Sequence, residues 1–82
     1  MNIVAAGNTY NPCLIALRDK GYRVWVEEGE ETVVWCAERN GNTFAAYSPP
    51  ELLGLATMGE QLGEEWNRQE PDLISQVLGH PL

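Results

Sequence analysis

The segment from Gly21 to Ser48 constrains the fold most, because two turn signals divide it into three short alternating strands. Asn40-Gly41 is the stronger signal, since both residue types adopt the positive φ angles that a type I′ hairpin turn requires. Gly29-Glu30 suits a two-residue type II′ turn, which would set Val26 opposite Val33. Both turns assign the same residues of the middle strand to the same face. We therefore expect a three-stranded antiparallel meander in a single register.

The predicted register gives the sheet two faces of different character, because side chains alternate along a strand. It also sets Ala37 opposite Phe44 and Trp35 opposite Ala46. The apolar face suits a core wall and consists of Tyr22, Val24, Val26, Val33, Trp35, Ala37, Phe44 and Ala46. The other face mixes aromatic and charged residues and consists of Arg23, Trp25, Glu27, Thr32, Val34, Cys36, Glu38, Thr43, Ala45 and Tyr47.

Helices are predicted on either side of the meander. Asn11-Pro12 suits the start of a first helix, and Gly21 suits the residue that follows its end. Ser48-Pro49-Pro50-Glu51 matches a capping box with proline in the first turn. The apolar stripe of that second helix is Leu52, Leu55, Ala56, Gly59, Leu62, Gly63 and Trp66. Its two glycines predict a close packing contact, a bend or a break.

Pro71 is expected to open a last short helix that Gly79 ends, with Leu73, Ile74, Val77 and Leu78 on one side. The segment Ile3-Val4-Ala5 is a candidate for a fourth, N-terminal strand. The predicted order is therefore β-α-β-β-β-α-α, a two-layer α+β fold in one domain over residues 1–82.

Composition narrows the function classes. The chain of 82 residues has twelve acidic and five basic residues and a net charge of −7. Such a charge disfavours nucleic acids and anionic membranes and favours basic partners, although it also serves solubility. Residues 1–7 lack the basic and apolar regions of a secretion signal, so we expect a cytoplasmic protein. Cys13 and Cys36 lack CxxC spacing, and we expect free buried thiols, with a single disulfide as the alternative.

The run Glu27-Glu28-Gly29-Glu30-Glu31 is the densest cluster of charge. Its carboxylates could contact a basic patch on a partner or bind a hard cation. The spacing does not match a calcium loop, so we predict no metal site. A solvated turn whose charges discourage edge-to-edge aggregation remains an alternative.

The predicted register sets Trp25, Val34 and Tyr47 side by side on the second face. With Arg23, Glu27 and Glu38 at the rim, this combination of aromatic centre and charged edge is typical of a protein contact. The alternatives are that a helix, the N-terminal segment or a second subunit covers this face. A homodimer would satisfy both interpretations.

Signals for catalysis are weak. His80 lies beside Pro81 near the C-terminus, and Cys13 lies on an apolar stripe, where cysteine usually serves as a small buried residue. We expect neither an enzyme nor a cofactor. The turn Gly7-Asn8-Thr9 is an alternative site for a small ligand or anion, because backbone amides at a helix start attract negative charge.

These residues predict a non-enzymatic module that binds another protein. The predicted contact residues are Trp25, Val34, Tyr47, Glu27, Glu28, Glu30, Glu31 and Glu38. An acidic inhibitor, such as an immunity-type protein that blocks a basic toxin or nuclease, would use them for charge steering and aromatic anchoring. In general character the chain resembles small acidic α+β proteins of bacteria and their phages.

Overall fold

The computed structural model describes residues 1–82 and contains three helices, two short 3₁₀ turns and one sheet. In chain order the elements are a 3₁₀ turn over Gly7–Thr9, α1 over Tyr10–Asp19, β1 over Arg23–Glu28, β2 over Val33–Arg39, β3 over Asn42–Ala46, α2 over Pro49–Leu62, a second 3₁₀ turn over Gly63–Glu65 and α3 over Leu73–Gly79. The sheet is antiparallel with strand order β1-β2-β3. The predicted α+β class is confirmed.

The candidate fourth strand is absent. Residues 1–6 form no strand, and the side chains of Ile3 and Val4 are 72% and 80% exposed. The large apolar side chains of this segment, Met1, Ile3 and Val4, do not pack against the buried cluster. Ordering the segment as a strand would cost conformational entropy that no buried apolar contact offsets.

The second hairpin has the predicted register. Ala37 lies opposite Phe44, and Trp35 lies opposite Ala46. Asn40 and Gly41 have φ angles of 53° and 82°, as a type I′ turn requires.

The register predicted for the first hairpin is wrong by two residues. Val26 lies opposite Trp35 rather than Val33, and Val33 lies opposite Glu28. A type II′ turn would need Gly29 at positive φ, and Gly29 does not adopt it. Its amide instead donates to the Thr32 carbonyl at 2.8 Å, so Glu30-Glu31 forms the tip. Because the shift is an even number of residues, every side chain stays on its predicted face.

Helix α1 begins at Tyr10, two residues before the predicted first helical residue Pro12, and ends in a Schellman motif. The Gly21 amide donates to the Arg18 carbonyl at 2.9 Å, and the Tyr22 amide donates to the Leu17 carbonyl at 3.0 Å. Gly21 has a φ of +93°, which a side chain would strain. The motif turns the chain directly from the helix into β1.

The predicted start of α2 is confirmed. The hydroxyl of Ser48 accepts a hydrogen bond from the Glu51 amide and donates to the Glu51 carboxylate. The two glycines of the stripe have different roles. A Cβ on Gly59 would lie 2.7 Å from Cε1 of Phe44, so this glycine permits close packing of α2 on the sheet, whereas Gly63 ends the helix.

Both long helices pack on the apolar face of the sheet. The buried cluster joins residues of α1, α2 and this face, namely Leu17, Tyr22, Ala37, Ala46, Leu52 and Ala56. Val26 and Val33 belong to the same face but are each about 40% exposed. They lie toward the turn at Glu30-Glu31, where the helices do not cover the sheet completely.

The C-terminal part of the chain contributes nothing to this core. Every residue from 61 onward is exposed, including the four apolar residues of α3. The predicted helix is present, with Asp72 as its N-cap. No helix of the chain combines the length and apolar character needed to cross a membrane.

Candidate functional site

The outer face of the sheet, opposite the helices, is centred on Trp25. The guanidinium carbon of Arg23 lies 4.3 Å from the centroid of the indole, a cation–π geometry. The indole Nε1–H donates to Oε1 of Glu27 at 3.2 Å. These neighbours are two residues away on the same strand, so they lie on the same face. They hold the half-buried ring in one orientation.

The observed register rearranges the predicted row. Trp25 lies opposite Cys36, and Val34 lies opposite Glu27. Trp25, Val34 and Tyr47 share the outer face, but Val34 is a diagonal neighbour of Trp25 rather than its cross-strand partner. The prediction that they lie side by side is therefore corrected.

Tyr47 is the most exposed aromatic residue of this face, with 70% of its surface accessible. It follows directly after β3, where the chain turns toward α2. Val34 is half-buried. The outer face thus offers one immobilised aromatic ring and one open ring, with an aliphatic residue on the central strand.

Cys36 occupies the centre of this face between Trp25 and Ala45. Only 6% of its surface is exposed, although no helix lies over it. Burial raises the pKa of the thiol, and the nearby Glu27 carboxylate adds to the rise. Both cysteines are free. Cys36 therefore serves as a small buried apolar residue beside Trp25.

The end of the first hairpin, which we call the acidic tip, consists of Glu27, Glu28, Glu30 and Glu31 and carries uncompensated charge. Glu27, Glu28, Glu30 and Glu31 are exposed, and none belongs to any of the four ion pairs of the molecule. No three His, Cys, Asp or Glu residues lie in an arrangement suited to a metal ion.

Glu38 differs from the other predicted carboxylates. It lies 3.8 Å from Arg23 Nε and accepts a hydrogen bond from the Gly41 amide at 3.0 Å. It therefore supports the second hairpin and offers less free charge to a partner.

Sequence reasoning missed a polar cluster around Glu60. Its carboxylate accepts from Lys20 Nζ and from the Tyr22 hydroxyl, each at 2.8 Å, and lies 3.6 Å from the Arg39 guanidinium. Hydrogen bonds from Lys20 and Tyr22 hold the pKa of Glu60 below its usual value, and burial raises the pKa of Tyr22. No sequence signal joins these residues, because they come from different elements.

The Glu60 cluster forms one wall of a groove of about 750 Å³ between α2 and β3. Phe44 lies in its floor, in edge-to-face contact with Tyr22 at a centroid distance of 6.0 Å. Trp66, 54% exposed, lines the far side. The apolar stripe of α2 predicted Trp66 to join the core, but the helix ends at Leu62 and leaves the ring in the groove.

The alternative site at Gly7-Asn8-Thr9 forms the first 3₁₀ turn, directly before α1. The amide and the hydroxyl of Thr9 both donate to the Ala6 carbonyl, at 3.0 and 2.6 Å. The Thr9 groups are therefore engaged within the turn. Anion binding here stays a prediction.

Comparisons with protein-family models, with curated proteins and with solved structures found no match to this chain.

Proposed function

We propose that this chain is a non-enzymatic module that binds a basic partner protein through the outer face of its sheet. The observation that carries the proposal is the placement of Trp25 and Tyr47 on the face that no helix covers. Aromatic rings with a charged rim supply much of the binding energy at protein interfaces.

Charge supports the choice of a basic partner. The free carboxylates of the acidic tip lie on the hairpin that also carries Trp25. A partner rich in Lys and Arg would be steered toward this end of the molecule, and its approach would slow as salt screens the attraction. An inhibitor of the immunity type, blocking a basic toxin or nuclease, fits this combination.

Quantitative affinity capture with the wild-type chain and single alanine variants tests the proposal. We expect one or more basic proteins to bind the wild type and to be retained at least about tenfold less by Trp25→Ala or Tyr47→Ala, as for a central interface aromatic. Trp66→Ala is the control, because Trp66 is also a solvent-accessible aromatic residue, 54% exposed, but lies in the groove and not on the outer face. Full retention of every captured protein by both outer-face variants would refute the proposed surface.

A further inference from the structure

The free edge of β3 has backbone groups that nothing in the chain pairs. Asn40-Gly41 is a two-residue turn, so Asn42 and Phe44 form hydrogen-bonded pairs with β2. The N–H and C=O groups of Thr43 and Ala45 therefore point away from β2. None of the turn, loop and cap hydrogen bonds of the backbone uses them. An unpaired edge of this kind is a template for another strand.

The two edges of the sheet differ in charge. β1 carries Glu27 and Glu28 and runs into the acidic tip, so β1 of one copy would repel β1 of another. β3 has the sequence Asn-Thr-Phe-Ala-Ala and contains no charged residue, no proline and no bulge. Charged side chains, one of the devices that protect an edge strand, are therefore present on β1 and absent from β3.

Apolar surface continues from the β3 edge onto α2. Leu55 and Met58 line the groove together with Thr43 and Ala45, and Leu62 follows them at helical spacing. Leu55 and Met58 are half-buried, and Leu62 is 36% exposed. A strand added to β3 would place its apolar side chains against this side of α2. A strand added to β1 would not contact it.

We propose that β3 pairs antiparallel with β3 of a second copy, giving a two-fold symmetric dimer with one six-stranded sheet. An antiparallel pair of identical strands is self-complementary, as a symmetric interface requires. The two β1 strands would lie five strand spacings apart, about 24 Å, which exceeds the screening length of about 8 Å at physiological salt. The net charge of −7 on each copy therefore opposes this arrangement less than any pairing through β1.

The dimer goes beyond the proposed function and does not depend on it. Its interface is the sheet edge and the flank of α2, whereas the proposed partner binds the outer face. The continuous sheet would present both outer faces on the same side. A partner with two basic sites would then bind both copies at once.

Sedimentation velocity of the full-length chain over a concentration series tests the dimer. We expect a reversible dimer for the wild type. Ala45→Pro removes an outward-pointing amide of β3 without removing a hydrogen bond to β2, and it should sediment as a monomer at every concentration. Glu28→Pro is the matched control, because it removes an outward-pointing amide from the β1 edge, and it should dimerise like the wild type.

Amide hydrogen exchange on the wild type tests the same interface without relying on the folding of a variant. The amides of Thr43 and Ala45 should become protected as the concentration rises, while those of Val24 and Val26, which point away from β2 on the β1 edge, should not. A wild-type monomer throughout the series, or protection that rises on β1 instead of β3, would overturn the proposal. Because neither readout involves the outer face, failure here leaves the proposed function standing.

Discussion

At the residue scale, Glu60 connects three segments that are distant in sequence. Its carboxylate binds Lys20 after α1 and Tyr22 before β1, and it lies near Arg39 at the end of β2. Arg39 in turn donates to the Lys20 carbonyl at 2.6 Å and lies 4.8 Å above the Tyr22 ring. The cluster therefore holds the end of the sheet against α2.

The depressed pKa of Glu60 gives its contribution to stability a defined pH dependence. Because the carboxyl binds its proton less readily in the folded state, the contribution is present above the ordinary value of 4.5 and is lost as pH falls through the folded pKa. We expect Glu60→Gln to lower the free energy of unfolding at neutral pH, by an amount that shrinks below pH 4.5. Urea unfolding between acid and neutral pH measures this difference.

Glu64→Gln is the control for that experiment, because Glu64 is exposed and forms no ion pair. Its stability should follow the wild type over the whole range. A Glu60→Gln deficit that stayed constant down to the most acidic point would contradict the assignment of the effect to the ionised carboxylate.

At this scale the sequence predicts which sheet face a residue lies on, but not which residues it contacts. The face of Trp25 and Tyr47 followed from alternation along strands and was predicted correctly. Which residues they touch did not follow, because cross-strand neighbours depend on where the turn closes. The Glu60 cluster could not be predicted from the sequence, because it depends on how α1 and α2 are placed over the sheet.

At the element scale, α2 contains one glycine that its packing on the sheet requires and another that packing does not require. Gly59 lies against the Phe44 ring, whereas a Cβ on Gly54 would meet nothing within 4 Å. Alanine is preferred over glycine inside a helix by about 1 kcal/mol. Alanine substitution at Gly54 therefore measures the gain in helix stability alone, whereas substitution at Gly59 adds the cost of a steric clash with Phe44.

We expect Gly54→Ala to raise the free energy of unfolding by up to about 1 kcal/mol. Gly59→Ala should lower it by about 1–3 kcal/mol, because the new methyl group displaces Phe44 from its contact with Tyr22. Chemical denaturation of both variants measures the two effects. Equal stabilisation by both would show that α2 does not pack closely on Phe44.

The turns explain how far the strands could be predicted. Asn40-Gly41 specifies one turn type, so the second hairpin had the predicted register. Gly29 lies among four glutamates that suit several turn geometries, and the hairpin closed one residue later along the chain. The stripe of α2 predicted its face correctly but extended it to Trp66, because Gly63 was compatible with either a bend or an end.

At the scale of the whole molecule, the charge and the apolar surface are distributed unevenly. One sheet edge ends in four free carboxylates, whereas the other edge is uncharged and adjoins a groove lined by Phe44 and Trp66. Composition predicted the net charge but not this separation, which depends on the strand order. In our two proposals this separation assigns a basic partner to the outer face and a second copy to the β3 edge.

The proposed contact surface is tested most directly by NMR of the three indole N–H groups during titration with a basic protein recovered by capture. We expect the Trp25 signal to shift or broaden, because its ring lies in the contact, while the Trp35 and Trp66 signals stay in place. A partner that perturbs Trp66 and leaves Trp25 unchanged would place the binding site in the groove and contradict the assignment of the outer face.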